Sequence, residues 1–221
     1  MALLISTNMY KAEEFKRILS YVEKWKGQVG VEVFPMFHRQ VFASLLEESM
    51  DMLKHVPISF HGPYYKAEHS APQEPRSMST PWNWWARPSA TQRGLTAAIW
   101  FFITTTVLSG MRRGCCGIPA PITAGVGGTV SSPGNTGWAV ENAGVMDRNN
   151  MLLDESGFVS LCRAEGYPVL IDIGHAHANG WDLRSVMERL KGQILAYHLH
   201  NNDGVHDSHR RIGDGTLDFD S

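Results

Sequence analysis

The 221-residue chain is poor in cysteine, lacks an excess of either charge and has no long apolar run. Cys115, Cys116 and Cys162 are too few for a disulfide framework and two of them are neighbours, so the sequence reads as that of a reducing compartment. Twenty basic against 22 acidic residues give a formal net charge of -2, which provides no general field for holding a phosphate backbone or an anionic membrane. Neither nucleic acid nor membrane is therefore an expected partner. Met1-Ala2-Leu3-Leu4-Ile5 has no basic n-region and turns polar at Ser6-Thr7-Asn8, so no signal peptide or anchor is expected, and the cytoplasm is the expected location. No Gly-x-Gly-x-x-Gly follows the first apolar segment, which leaves dinucleotide binding without support. What is present, 43% hydrophobic and 19% charged residues, suits a packed globular chain rather than a disordered one.

Further absences are local. Between Pro72 and Trp138 the only acidic residue is Glu74, where even spreading of the 22 would put about seven. This stretch has no histidine and no lysine, yet holds five of the seven tryptophans, seven of the 11 prolines and nine of the 21 glycines. Neither a helical nor a strand period survives in it. One reading is a Pro/Gly-rich insertion; its apolar part, Leu95 to Leu108, is too short and Thr-rich to span a membrane. The other is a shifted reading frame. Tryptophan has one codon, so Trp100-Phe101 becomes Val in that frame, and the codons through Thr106 permit Val-Phe-His-His-Asn-Asn, a buried strand ending in metal-type ligands. Sequencing the coding DNA distinguishes the two.

The flanks alternate regularly. Leu3 to Ser6 is an expected strand, followed by a helix over Lys11 to Lys26 with Phe15, Ile18, Leu19, Val22 and Trp25 on one face. Val31 to Phe34 is a strand. His38 to His55 is a helix carrying Val41, Phe42, Leu45, Leu46, Met52 and Leu53, and Ile58 to Phe60 is a third strand. After the middle come a strand at Ala139-Val140, a helix at Glu155 to Glu165, a strand at Pro168 to Asp172, a helix capped by Asp182, and a strand at Gln193 to Leu199. Such alternation implies parallel strands with right-handed crossovers, in an open sheet or a closed barrel.

Polar residues stand at the carboxyl ends of these strands: His61, Glu141, Asp172 with His175 in the following turn, then His198 and His200. In a parallel barrel such ends share one mouth, so the barrel is the expected architecture. Imidazole and carboxylate together suit zinc, manganese, cobalt or iron, whereas a thiolate-rich structural zinc site is not encoded. His198 and His200, two apart, face the same side of a strand, one as ligand and one toward substrate. Asp207-Ser208-His209 adds an Asp-x-His pair, read equally as a solvated loop or as part of the site.

The segments Phe60-His61-Gly62-Pro63-Tyr64, Val140-Glu141-Asn142-Ala143-Gly144, Asp172-Ile173-Gly174-His175-Ala176-His177 and His198-Leu199-His200-Asn201-Asn202-Asp203-Gly204, followed by Asp207-Ser208-His209 and Gly213-Asp214-Gly215, resemble the xylose-isomerase-like barrels. That family includes sugar isomerases and epimerases, inositol-pathway enzymes and apurinic-site endonucleases. The resemblance covers about 1 to 71 and 139 to 221. It implies a single domain over 1–221, an α/β fold of the (β/α)8 TIM type, interrupted by the anomalous 72–138 and incomplete because the eighth strand and its glutamate would lie past Ser221. It further implies that Glu141, Asp172 and His198 hold a divalent ion (Mn, Zn, Co or Mg), that Glu141 and His175 are catalytic, and that His61, His175, His200, Asp207 and His209 bind substrate or a second metal.

Three functions follow from the resemblance. The first is isomerisation or epimerisation of a sugar, sugar phosphate or cyclic polyol through an enediolate, with carboxylates moving the proton. The second is an apurinic-site endonuclease-like phosphodiesterase, for which the flanks lack a basic stripe with aromatic wedges. The third is an inactive fragment or binding protein that keeps the pocket.

Overall fold

In the computed structural model the described residues are 3–36, 39–61, 100–104 and 137–220. The chain divides into two compact units, Met1–Phe101 with Met111–Gly137, and Phe102–Gly110 with Trp138–Ser221.

In the first unit, β1 (Leu3–Ser6), β2 (Val29–Val33) and β3 (Ile58–His61) are parallel, with Ile5 level with Val31 and Val31 with Ile58. Helix α1 (Arg17–Lys24) links β1 to β2, and α2 (Gln40–Leu53) links β2 to β3. β2, Val-Gly-Val-Glu-Val, is buried along its whole length, Glu32 included. Phe15, Ile18 and Val22 from one crossover meet Phe42, Leu46 and Leu53 from the other, with the Phe15 and Phe42 rings edge to face at 5.5 Å. Burying each such side chain contributes about 1.5–3 kcal/mol.

The helix expected over Lys11 to Lys26 is two pieces, a 3-10 turn at Ala12–Glu14 and then α1. Phe15 falls between the two pieces, and Ile18 and Val22, four apart, both lie in α1, so their spacing does not report the break. Trp25 and Val41, expected in the apolar faces, are 43% and 38% exposed; Trp25 lies past the last turn of α1.

β4 (Trp100–Thr104) is a strand inside the stretch where no period was expected. An unbroken aromatic and β-branched run carries no alternation, yet its residues are strong strand formers. The rest of 72–138, and with it the choice between insertion and shifted frame, lies outside the described residues.

The second unit repeats the parallel arrangement with β5 (Gly137–Glu141), β6 (Val169–Asp172) and β7 (Ile194–His198). Helix α3 (Glu155–Glu165) begins at Asp154, whose carboxylate accepts from the Gly157 amide at 2.8 Å, and ends at Gly166, whose φ of 68° is left-handed. Between β6 and β7 come α4 (Ile173–Ala178) and α5 (Leu183–Arg189), the latter capped by Asp182 as the sequence indicates. Val140, Phe158, Val159, Cys162, Val169, Ile171, Val186 and Leu190 form the core. The β6–β7 ladder is irregular: Val169 is level with Ile194, but Leu170 with Ala196, so β7 carries Leu195 as an extra residue. From there Ile171 pairs with Tyr197 and Asp172 with His198. Among the described residues no helix is long and apolar enough to cross a membrane.

Candidate active site

β5, β6 and β7 end on Glu141, Asp172 and His198, and parallel pairing brings these three ends to the same side of the second unit. Glu141 and Asp172 are each 1% exposed. His198 Nδ1 lies 2.9 Å from Glu141 Oε1 and 3.5 Å from Asp172 Oδ2. His200, beyond the end of β7, places Nε2 3.0 Å from Asp172 Oδ1, so the two oxygens of Asp172 face two imidazoles.

Asp172 also caps α4, its Oδ1 accepting from the His175 amide at 2.7 Å. His175, expected in a turn after β6, stands in the first turn of this short helix, with Nδ1 3.6 Å from Asp172 Oδ2. The Asp-x-His loop closes the other side. Asp207 Oδ1 is 3.0 Å from His209 Nε2 and 3.8 Å from His200 Nε2, while Asp207 Oδ2 is 3.7 Å from His175 Nε2. The His200 and His209 rings stack at 3.9 Å. Asp207 is buried, so this loop is not merely a solvated connection.

Two overlapping groups result. Glu141, Asp172 and His175 offer ligand atoms mutually within 4.8 Å, and so do His175, His200, Asp207 and His209. His61 belongs to the first unit, where it is buried at the end of β3 with its ring 4.3 Å from that of Phe34. The seven other residues singled out in the sequence come together.

The chemistry of this donor set fits a divalent cation. Buried His175 Nδ1, both nitrogens of His200 and Asp207 Oδ1 have no hydrogen-bond partner, although His200 Nε2 and Asp172 Oδ1 are close. A buried polar atom left unpaired costs about 1–3 kcal/mol, and four of them beside carboxylates form an arrangement that a bound cation would relieve. Neutral imidazoles and carboxylates suit zinc, manganese or cobalt.

The charges are correspondingly arranged. Burial alone would raise the Asp172 carboxyl, but the charge on His175 and the adjacent His198 and His200 imidazoles hold it well below the usual carboxylate range. Burial opposes the charged form of His175, yet Asp172, Asp207 and Glu141 outweigh it and raise its pKa to about 9. Asp207 is likewise held low, because His175 and His209 overcome its desolvation.

Several supporting residues escaped the sequence reading. Asn142 donates from Nδ2 to the Asp172 carbonyl at 3.0 Å and accepts from the Asp172 amide at 2.7 Å, prolonging the β5–β6 ladder with a side chain. Asn202 Nδ2 donates to the Gly174 carbonyl at 2.7 Å, and the His200 ring lies against Gly174. Arg148 grips Asp207 through both its carboxylate and its carbonyl, at 3.1 and 2.7 Å. Asn142 and Gly174 lie inside the quoted motifs, which was their only signal; Arg148 had none.

No family model and no curated protein matches the chain. Among solved structures, a D-tagatose 3-epimerase-like protein aligns with 99% of this chain and 83% of its own, at 14% identity and a TM-score of 0.66. A Thermus thermophilus protein soaked with zinc chloride aligns with 98% of this chain and 84% of its own, at 17% identity and a TM-score of 0.42. The first likeness is one of fold.

Proposed function

We propose that the chain is a divalent-metal-dependent isomerase or epimerase acting on a sugar, sugar phosphate or cyclic polyol, built on a (β/α)8-type barrel. The observation that carries this reading is the convergence of Glu141, Asp172 and His198 from three successive parallel strand ends, with contacts of 2.9 and 3.5 Å through one imidazole nitrogen. The fold likeness to a protein described as D-tagatose 3-epimerase-like supports it. The parallel α/β pattern of each unit supports the barrel.

Glu141, Asp172 and His198 would hold the first cation, and His175, His200, Asp207 and His209 a second. Such an ion supplies Lewis acidity toward the adjacent carbonyl and hydroxyl oxygens of a ketose. Glu141 takes the proton from the carbon beside the carbonyl and returns it, and its burial keeps water from competing. His175 serves the second cation when that site is filled and holds a proton at neutral pH when it is empty. For His61 the proposed role is substrate binding.

The test is solvent-deuterium exchange at the carbon beside the carbonyl across a panel of ketoses and ketose phosphates, with metal-replete protein. Exchange is expected, and Glu141→Gln should abolish it. A second reading, an apurinic-site phosphodiesterase, is favoured by the two overlapping donor groups, since adjacent cations are the arrangement used in hydrolysis of phosphate esters. Nicking of abasic duplex DNA without any exchange would install that reading. Failure to retain any divalent ion would instead make the chain a noncatalytic member.

A further inference from the structure

Asp207 stands on a segment, 199–211, that contains no helix or strand; Asn201 bridges to Arg210 and the Asn202 side chain bonds to the Gly174 carbonyl. A loop carboxylate of this kind would sample several orientations, only some of which present an oxygen to His200 and His209. Arg148 removes that freedom. Its Nη1 lies 3.1 Å from Asp207 Oδ2, and its Nη2 donates to the Asp207 carbonyl at 2.7 Å, so one planar guanidinium fixes side chain and main chain together. Oδ1 then faces inward, buried and without a hydrogen-bond partner, 3.0 Å from His209 Nε2.

Arg148 is itself anchored. It ends a 3-10 turn, Met146–Arg148, that follows β5, and Asn149 closes the turn with a left-handed φ of 51°. Asn179, at the end of α4, accepts from the Met146 amide at 2.9 Å and donates to the Gly144 carbonyl at 2.9 Å. The Val145 amide donates to Asn150 Oδ1 at 2.8 Å. The guanidinium is thus presented by a braced turn, although 52% of the Arg148 side chain is exposed.

We propose that Arg148 is a positioning residue that aims Asp207 Oδ1 at the His200 and His209 imidazoles and so sets the affinity of this cluster for a divalent cation. The inference rests on the reading of the cluster as a cation site. Two effects of the guanidinium compete: its charge repels a cation, while its hydrogen bonds hold the ligand in place. The charge is half-exposed and screened, whereas losing the partner of a metal-ligating group costs about 10–100-fold in affinity, so orientation prevails.

The test uses the full chain, stripped of metal and titrated with Co2+ alone, read by the visible absorption of the bound ion. Arg148→Met should weaken the cluster's Co2+ affinity by about 10–100-fold, and Arg148→Lys, which can hold one acceptor but not both, should recover part of the loss. Arg189→Met, which removes a guanidinium paired with Glu155 3.2 Å away in another part of the unit, should change nothing. If Arg148→Met does not fold, Arg148→Gln under the same titration decides. Unchanged or tighter Co2+ binding in the Arg148 variant, with Asp207→Asn weakened, overturns the positioning role. Unchanged binding in Asp207→Asn overturns instead the reading of the cluster as a cation site.

Discussion

Gly174 sits under the His200 ring so closely that a Cβ there would lie 2.0 Å from its Cε1 and 2.2 Å from its Nδ1. Gly174→Ala therefore cannot coexist with the observed ring position. His200 must swing out, losing the 3.0 Å approach to Asp172 and the 3.9 Å stacking on His209. Overpacking of this kind costs about 1–3 kcal/mol. Gly174 lies within α4 and has no positive φ, so its backbone admits alanine. With the ring gone, the same substitution should stabilise by up to about 1 kcal/mol, the helix preference of Ala over Gly. The effect should therefore change sign between the wild-type and His200→Ala backgrounds, with a coupling of about 1–4 kcal/mol. Hydrogen exchange of the β6 amides, which follows opening of this unit, gives the four free energies. Equal destabilisation by Gly174→Ala in both backgrounds would refute the argument, because the penalty would then lie in the backbone.

Asn142→Leu leaves the Asp172 amide and carbonyl without the two bonds they now share with one side chain, and should cost about 2–4 kcal/mol by urea denaturation; a cost below about 0.5 kcal/mol would mean the ladder ends without it. Burial raises the Cys162 thiol to about 12. Its folded value thus exceeds the unfolded value of about 8.5, so its stabilising contribution is complete below about pH 8.5 and is lost as pH rises toward 12. In a Cys115→Ser, Cys116→Ser background, stability should fall more steeply between about pH 8.5 and 10.5 with Cys162 present than with Cys162→Ala, and a thiol reagent should not label the native protein at about pH 8.

The alternation of strands and helices was legible because the apolar runs of β1, β3 and β6 are short and bounded, and because Asp154 and Asp182 stand where caps belong. Helix α4 was not legible. Ile173-Gly174-His175-Ala176-His177-Ala178 has no amphipathic face, and it is the Asp172 carboxylate that starts the helix by accepting from the His175 amide. At the site, the ligand-type residues announced themselves by chemistry and by position at strand ends. Their supports did not, because the Arg148–Asp207 pair joins positions 59 residues apart and neither sequence environment implies the other. The exposure of Trp25 shows the converse limit: helical spacing specifies a face but not where the helix stops.

The extra residue in β7 gives the site a dependence on counting. Continued regularly from the Val169–Ile194 pair, the ladder would set Asp172 level with Tyr197, and a shift of one residue turns a side chain to the opposite face of the sheet. Leu195 supplies the one-residue offset that brings His198 level with Asp172. Its own side chain is 37% exposed, so the offset comes from its backbone. Sequence drift at position 195 is thus cheap, while a single-codon deletion between 194 and 196 would disturb the register that aligns imidazole and carboxylate without changing either.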